Sequence, residues 1–146
     1  MFHKRLTLEQ VPPFCQGLAP SLKAKTAILL TGALGAGKTY FVKELLKALG
    51  GEEALSPTFS LINAYQSCQP YSLYHVDLYR LESSEDLETS GFWDLFADKN
   101  SVVLIEWASK IKKDELPLDW KTLCVDIHKV VDDENVREYR VTPEIS

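Results

Sequence analysis

Cysteine is scarce in this 146-residue chain: Cys15, Cys68 and Cys124 stand far apart, are odd in number and form no CxxC. No histidine lies at metal-ligand spacing from them, so the pattern argues against a disulfide framework and against zinc, and for buried thiols. Long apolar runs are also missing. None approaches the roughly 18 to 20 residues of a membrane span. The charged start, Met1-Phe2-His3-Lys4-Arg5, leads into no signal-type apolar stretch. The expectation is a cytoplasmic protein with no membrane partner. Positive charge is in deficit, with 16 Lys+Arg against 21 Asp+Glu and a net charge of −5. Counterion release needs a basic face, so strong unaided binding to nucleic acid is not expected. The small basic groups at Lys4-Arg5, Lys23/Lys25 and Lys110/Lys112/Lys113 read as solvated surface. Internal repeats, low-complexity tracts and long linkers are absent as well.

What the chain does have is enough apolar material for a packed interior, 45 % of residues with 10 % aromatic. Its length suits one domain, residues 1–146. Its most informative stretch is Gly32-Ala33-Leu34-Gly35-Ala36-Gly37-Lys38-Thr39, a complete phosphate-binding loop of the form GxxxxGK[ST]. A strand-like run over 26–31 feeds into it, and a helical pattern over 40–49 follows and stops at Gly50-Gly51. This is the strand–loop–helix setting the motif requires. At average residue frequencies the pattern arises by chance in roughly 0.5 % of chains this long, so a glycine-rich surface turn is the weaker reading.

Each position has a physical reason. The three glycines permit left-handed or crowded backbone, which lets the amide N–H groups turn inward as an anion nest at a helix N-terminus. Lys38 brings a mobile ammonium to the β- and γ-phosphates, and Thr39 offers a hydroxyl to the Mg²⁺ that accompanies them.

Elsewhere, residues 8–22 fit a helix opening on Pro12-Pro13 and stopping near Pro20. Strand 26–31 is almost wholly apolar, as for a central parallel strand covered on both faces. Runs 61–66 and 71–77 read as a hairpin. Ser83 or Ser84 can cap a short acidic helix to Thr89, ended by Gly91. Residues 102–106 form a buried strand ending in a carboxylate. Two later strands, 122–128 and 137–142, flank an acidic turn over 131–135. Strands and helices alternate through most of the chain, so the class is α/β.

Hydrolysis needs a carboxylate for metal or water besides the loop. Glu106 emerges at a strand's C-terminal end, where ligands sit in open α/β sheets; an N-cap or a surface charge is the plainer reading. Asp77, at the end of its run, is either a second such carboxylate or an Asx turn. Thr58 offers a switch-type hydroxyl from a loop. Arg80 is either a neutraliser of developing phosphoryl charge or a surface salt-bridge partner. His75 reads as a strand residue rather than a base. Trp107 is either core or a contact residue.

Taken together, the loop Gly32–Thr39, Ser56-Pro57-Thr58-Phe59, Asp77-Leu78-Tyr79-Arg80 and Ile105-Glu106-Trp107 resemble, in order and spacing, the TsaE (YjeE) family. These are ATPase subunits of bacterial threonylcarbamoyladenosine synthesis on tRNA. The likeness runs through nearly the whole chain, including Leu116-Pro117 and 137–141. It implies a P-loop NTPase-type fold: a single α/β domain with a central, mostly parallel (mixed) sheet and flanking helices. It implies ATP and Mg²⁺ as ligands, held by Gly32, Leu34, Gly35, Ala36, Gly37, Lys38 and Thr39. Lys38, Asp77 and Glu106 are the implied residues of catalysis, with Thr39, Asp77 and Glu106 around the metal. Ser56 and Thr58 belong to a switch-like segment, and Leu8 and Val136 flank the adenine. TsaD and TsaB are the implied partners, with tRNA reached through the complex. Two departures stand out. Ala33 replaces the usual aspartate after the first loop glycine, and Tyr40 stands where a small hydroxyl residue is common.

Three other classes compete. A small-molecule or nucleoside kinase shares the loop but needs an acceptor pocket and an arginine-bearing lid, and arginine occurs only at Arg5, Arg80, Arg137 and Arg140. A regulatory GTPase needs NKxD and DxxG strings, and neither occurs. A nucleotide-gated interaction module would need binding without essential hydrolysis.

Overall fold

A computed structural model describes residues 2–53 and 61–144. The sequence-predicted switch residues Ser56 and Thr58 lie outside the described residues. The elements are β1 (Phe2–Thr7), α1 (Val11–Leu18), β2 (Thr26–Thr31), α2 (Lys38–Ala48), β3 (Glu52–Glu53), β4 (Ile62–Gln66), β5 (Ser72–Asp77), α3 (Ser84–Thr89), β6 (Ser101–Glu106), β7 (Lys121–Val130) and β8 (Asp133–Glu144). Short 3-10 turns fill several of the connections.

All eight strands join one sheet in the order β1-β8-β7-β2-β6-β5-β4-β3. It is mixed, as expected, with parallel pairing confined to β7, β2, β6 and β5 at its centre. Antiparallel strands complete both wings. The central strands are apolar on both faces because both are covered. Ile28 and Leu30 of β2 pack with Phe41, Val42 and Leu45 of α2 and Val11 and Cys15 of α1. Ala27 and Leu29 point the other way, with Val103, Ile105, Phe92, Phe96 and Trp120. Each fully buried large side chain contributes roughly 1.5–3 kcal/mol, and every residue of β6 is buried. Phe14, Phe41 and Tyr139 meet with centroids 5.8–6.3 Å apart, tying α1 and α2 to β8.

Helix α1 carries its prolines in its first turn, where missing N–H groups cost nothing, and passes into a 3-10 turn at Ala19–Ser21. Helix α2 ends in a complete Schellman motif: Gly51 N–H donates to Leu46 O at 2.8 Å and Gly50 N–H to Lys47 O at 3.0 Å. Gly50, at φ +69°, supplies the left-handed residue this needs. Ser83 caps α3 by accepting from the Asp86 N–H. The predicted hairpin of 61–66 and 71–77 is present as β4 and β5, trimmed by one residue at each start.

The charged N-terminal segment, for which the sequence suggested no element, is strand β1, paired antiparallel with β8 and joined to it by a hydrogen bond between His3 and Glu138, with Lys4 and Arg5 exposed as expected. One expectation is corrected. The acidic stretch 131–135 is not all turn: β8 begins at Asp133, leaving Val131 and Asp132 at the bend. Asp133, Glu134 and Asn135 are exposed on a ribbon, which is why polar composition alone suggested a turn.

The three cysteines are free. Cys15 lies between α1 and the rest of the core, and burial, then the nearby Glu44 charge, push its thiol up to about 12. Only the thiolate alkylates. Iodoacetamide at pH 8 should therefore modify exposed Cys68 in the native protein and reach Cys15 only after denaturation. Equal native rates, read by mass spectrometry, would contradict this packing.

Candidate functional site

Strand β2 ends at Thr31 and the chain turns at once through Gly32 to Gly37 before α2 begins. Gly32, Gly35 and Gly37 have φ of +144°, +79° and +110°. Gly32 is the most constrained, because a Cβ there would stand 2.4 Å from the Ile127 carbonyl oxygen of β7. The loop is also held from outside. Arg137 of β8 donates through Nε to Ala36 O at 3.0 Å, and through Nη1 to Glu134 O at 2.6 Å and Val136 O at 3.0 Å.

Lys38 is the first residue of α2 and only 4 % exposed. Its Nζ donates to Gly32 O at 2.6 Å and Ala33 O at 2.9 Å, and lies 4.1 Å from the centroid of the Trp107 ring. Burial pulls its pKa below the usual lysine value, with the Glu106 and Asp77 charges opposing. Trp107 itself is left-handed, with φ +60° and ψ +42°. Such backbone costs a bulky residue on the order of 1–3 kcal/mol. Its carbonyl accepts from Lys110 N at 3.1 Å, and its ring lies 5.0 Å from that of Tyr79.

Glu106 is 2 % exposed. Oε1 accepts the Thr39 hydroxyl at 2.8 Å, and Oε2 lies 2.5 Å from Nε2 of His75. Burial alone would raise the Glu106 pKa. The hydrogen bonds from His75 and Thr39, with the His75 and Lys38 charges, outweigh it and hold the carboxyl below its usual value. Parallel register sets Asp77 beside Glu106 on the neighbouring strand. The Asx turn is present, since Asp77 Oδ1 accepts from Tyr79 N at 3.0 Å. The same side chain also lines the cleft, so the two readings of Asp77 are compatible.

The cleft has a volume of about 240 Å³ and is walled by Leu34, Gly35, Gly37, Lys38, Thr39, Tyr40, Asp77, Tyr79, Glu106 and Trp107. It is smaller than the roughly 300–1,000 Å³ of typical small-molecule pockets. A hydroxyl and two carboxylates form an all-oxygen donor set of the kind hard cations such as Mg²⁺ take. Gly32 and Ala36 back the loop rather than face the cleft; Ala36 is buried in the core beneath it. Leu8 and Val136 come together outside the cleft, because Val136 pairs with Thr7 at the end of β1. Tyr40 Oη donates to the Leu8 carbonyl at 3.1 Å. Arg80 is exposed and does not line the cleft.

Trp107 lines the cleft and also packs against the core, so the two readings that spacing left open are both met. Sequence reasoning missed two residues. His75 was assigned to a strand alone; its spacing of two from Asp77, which puts both on one strand face, was the available signal. Arg137 carried no local signal, since its contact depends on the packing of β8 against the loop.

Substituting Gly32→Ala should cost about 1–3 kcal/mol, the range for forcing atoms into a filled space, measured by urea unfolding. A loss within about 0.5 kcal/mol, the scale of an ordinary surface change, would mean the loop does not sit against β7 in this way.

A family profile described as "Threonylcarbamoyl adenosine biosynthesis protein TsaE" matches residues 7–139. The tRNA threonylcarbamoyladenosine biosynthesis protein TsaE of Rickettsia felis is 42 % identical over 106 residues, 71 % of this chain and 60 % of that protein. The chain thus spans about three fifths of the length of that relative. The protein of the same description from Nostoc sp. is 38 % identical over 129 residues, 86 % of this chain and 75 % of its own length. A crystal structure of Bacillus subtilis YdiB superposes with a TM-score of 0.70 at 26 % identity, covering 99 % of this chain and 86 % of that one. With the family profile matched over nearly its whole length, the chain belongs to the TsaE family of threonylcarbamoyladenosine biosynthesis proteins.

Proposed function

We propose that the chain binds ATP with Mg²⁺ and hydrolyses it in support of threonylcarbamoyl transfer to the tRNA adenosine beside the anticodon. In this reading it acts with TsaD and TsaB and meets tRNA through that complex. The observation that carries it is the convergence of Lys38, Thr39, Asp77 and Glu106 on one cleft against the glycine loop.

The N-terminus of α2, with the glycine loop before it, would offer the phosphate tail backbone N–H donors and positive dipole. Lys38 gives up its two carbonyl partners and places its charge on the β- and γ-phosphates. Thr39 and the carboxylates of Glu106 and Asp77 would hold Mg²⁺, which when bound offsets phosphate charge and aligns the transferred group. Glu106 stays ionised because two donors and a nearby ammonium hold it so. It is placed to accept a proton from, or orient, an attacking water. The adenine would extend past the loop toward Leu8 and Val136. No arginine enters the cleft, with Arg80 turned to solvent. Turnover by the isolated chain should therefore be slow and rise when TsaD and TsaB are added.

Steady-state ATPase assays with and without TsaD and TsaB test the reading; fast turnover by the chain alone would overturn the partner dependence. Lys38→Ala should weaken ATP binding about 10- to 150-fold, equivalent to the roughly 1.5–3 kcal/mol of a hydrogen bond to a charged group. Glu106→Gln should retain binding and lower turnover by about 10²- to 10⁴-fold, the usual worth of a positioned acid or base. Undiminished hydrolysis in Glu106→Gln would remove the carboxylate from the chemistry, and a phosphorylated small-molecule product would point to a kinase instead.

A further inference from the structure

We infer that His75 is a positioning residue of the cleft, whose Nε2–H fixes the Glu106 carboxylate so that its other oxygen stays on Thr39. The inference rests on the ATP–Mg²⁺ reading of this site and adds a residue outside the four sequence motifs that suggested it.

The geometry follows from strand register. In the parallel pair β5–β6, Asp77 stands beside Glu106 and His75 beside Leu104. Residues two apart on a strand share a face, so His75 and Asp77 project to the same side. Asp77 reaches the cleft, and His75 lies one step behind it, outside the cleft lining. Its side chain is 12 % exposed and its ring packs 6.5 Å from that of Tyr65 on β4. From there, among the described residues, its hydrogen bond toward the cleft is the one to Glu106.

A glutamate carboxylate turns about a broad, weakly restricted final torsion. Here both oxygens are occupied, Oε1 by the Thr39 hydroxyl at 2.8 Å and Oε2 by His75 at 2.5 Å. An ionised carboxylate only accepts, so the imidazole Nε2 carries the shared proton. With Oε2 held, Oε1 keeps the Thr39 hydrogen, and the hydroxyl's lone pairs are left turned toward the metal position. Removing the ring's donor frees the carboxylate to rotate and releases Thr39 with it. Partners that orient ligands in this way are typically worth 10- to 100-fold in metal affinity or activity.

The test compares wild type, His75→Leu, which keeps bulk but has no donor, and His75→Gln, which restores an N–H at similar reach. Calorimetric titration with ATP in EDTA and with ATP plus excess magnesium separates nucleotide binding from the metal's contribution. His75→Leu should bind ATP in EDTA as wild type does and lose about 10- to 100-fold of the magnesium-dependent gain. His75→Gln should recover most of it. Unchanged magnesium dependence in His75→Leu overturns the inference, as does a His75→Gln no better than His75→Leu, which would assign the effect to ring packing. Failure of wild type itself to take up ATP overturns the ATP reading and this inference with it. Should His75→Leu not fold, long-range ¹H–¹⁵N spectra of ring-labelled wild type decide: a proton on Nε2 supports the role, and one on Nδ1 alone overturns it.

Discussion

The parallel pairing of β2 with β6 is the constraint on which the site depends. It sets Leu30 opposite Glu106, so the strand that launches the glycine loop ends level with the strand that delivers the carboxylate. Parallel strands present all their C-terminal ends along one edge, and three of them, β2, β5 and β6, contribute there in turn the loop, Asp77 and Glu106. The hydrogen bond from Thr39 to Glu106 closes the arrangement across 67 positions of sequence. Burial makes that pairing firm. Every residue of β6 is buried, and a one-residue slip would exchange its Leu104 and Glu106 face for its Val103 and Ile105 face.

The antiparallel wing has its own part in the site. Strands β7 and β8 stand behind the loop, with the Ile127 carbonyl against Gly32 and the Arg137 guanidinium on the Ala36 carbonyl. A loop whose amides face inward must turn carbonyls outward, and buried carbonyls require partners. Arg137 supplies one from a different element and ties the loop to the sheet rather than to its own helix alone. The shape of the glycine loop is thus fixed by tertiary packing as well as by glycine content. Ala33 fits this account: its carbonyl is used by Lys38 and by the Ala36 N–H, and neither bond involves its side chain.

Much of this was legible in the sequence where chemistry is local. The loop spacing, the apolar runs of β2 and β6, the Schellman glycines after α2 and the cap at Ser83 each declare themselves within a few residues. Glu106 was legible because a carboxylate directly after four aliphatic residues has nowhere to go but a strand's end. What was hidden depends on contacts between distant segments. Strand β1 carries charge because it is a sheet edge, so its alternation is weak and only pairing with β8 reveals it. The acidic start of β8 likewise concealed a strand, since a solvated ribbon has no apolar face to advertise it. His75 looked like a strand filler until parallel register put it diagonal to Glu106. Arg80, prominent in its motif, is exposed and lies outside the cleft lining, although its neighbour Tyr79 is part of that lining.

Lys38 bears on the ligand proposed for the cleft. Its ammonium rests on two carbonyl oxygens and the face of Trp107, a cation–π contact worth up to about 2 kcal/mol when desolvated. Trp107 holds its left-handed backbone in that position, closed by the turn through Lys110 and faced by Tyr79. A neutral group offers the ammonium nothing better than the carbonyls it already has. An anion does, because it adds the attraction of a full opposite charge, which is strong where water is excluded. On the proposed reading the strained tryptophan and the buried lysine act together: the ring covers the ammonium, and a ligand with negative charge at the loop would offset the cost of moving it. The proposed phosphate tail would meet that condition beside the N-terminus of α2.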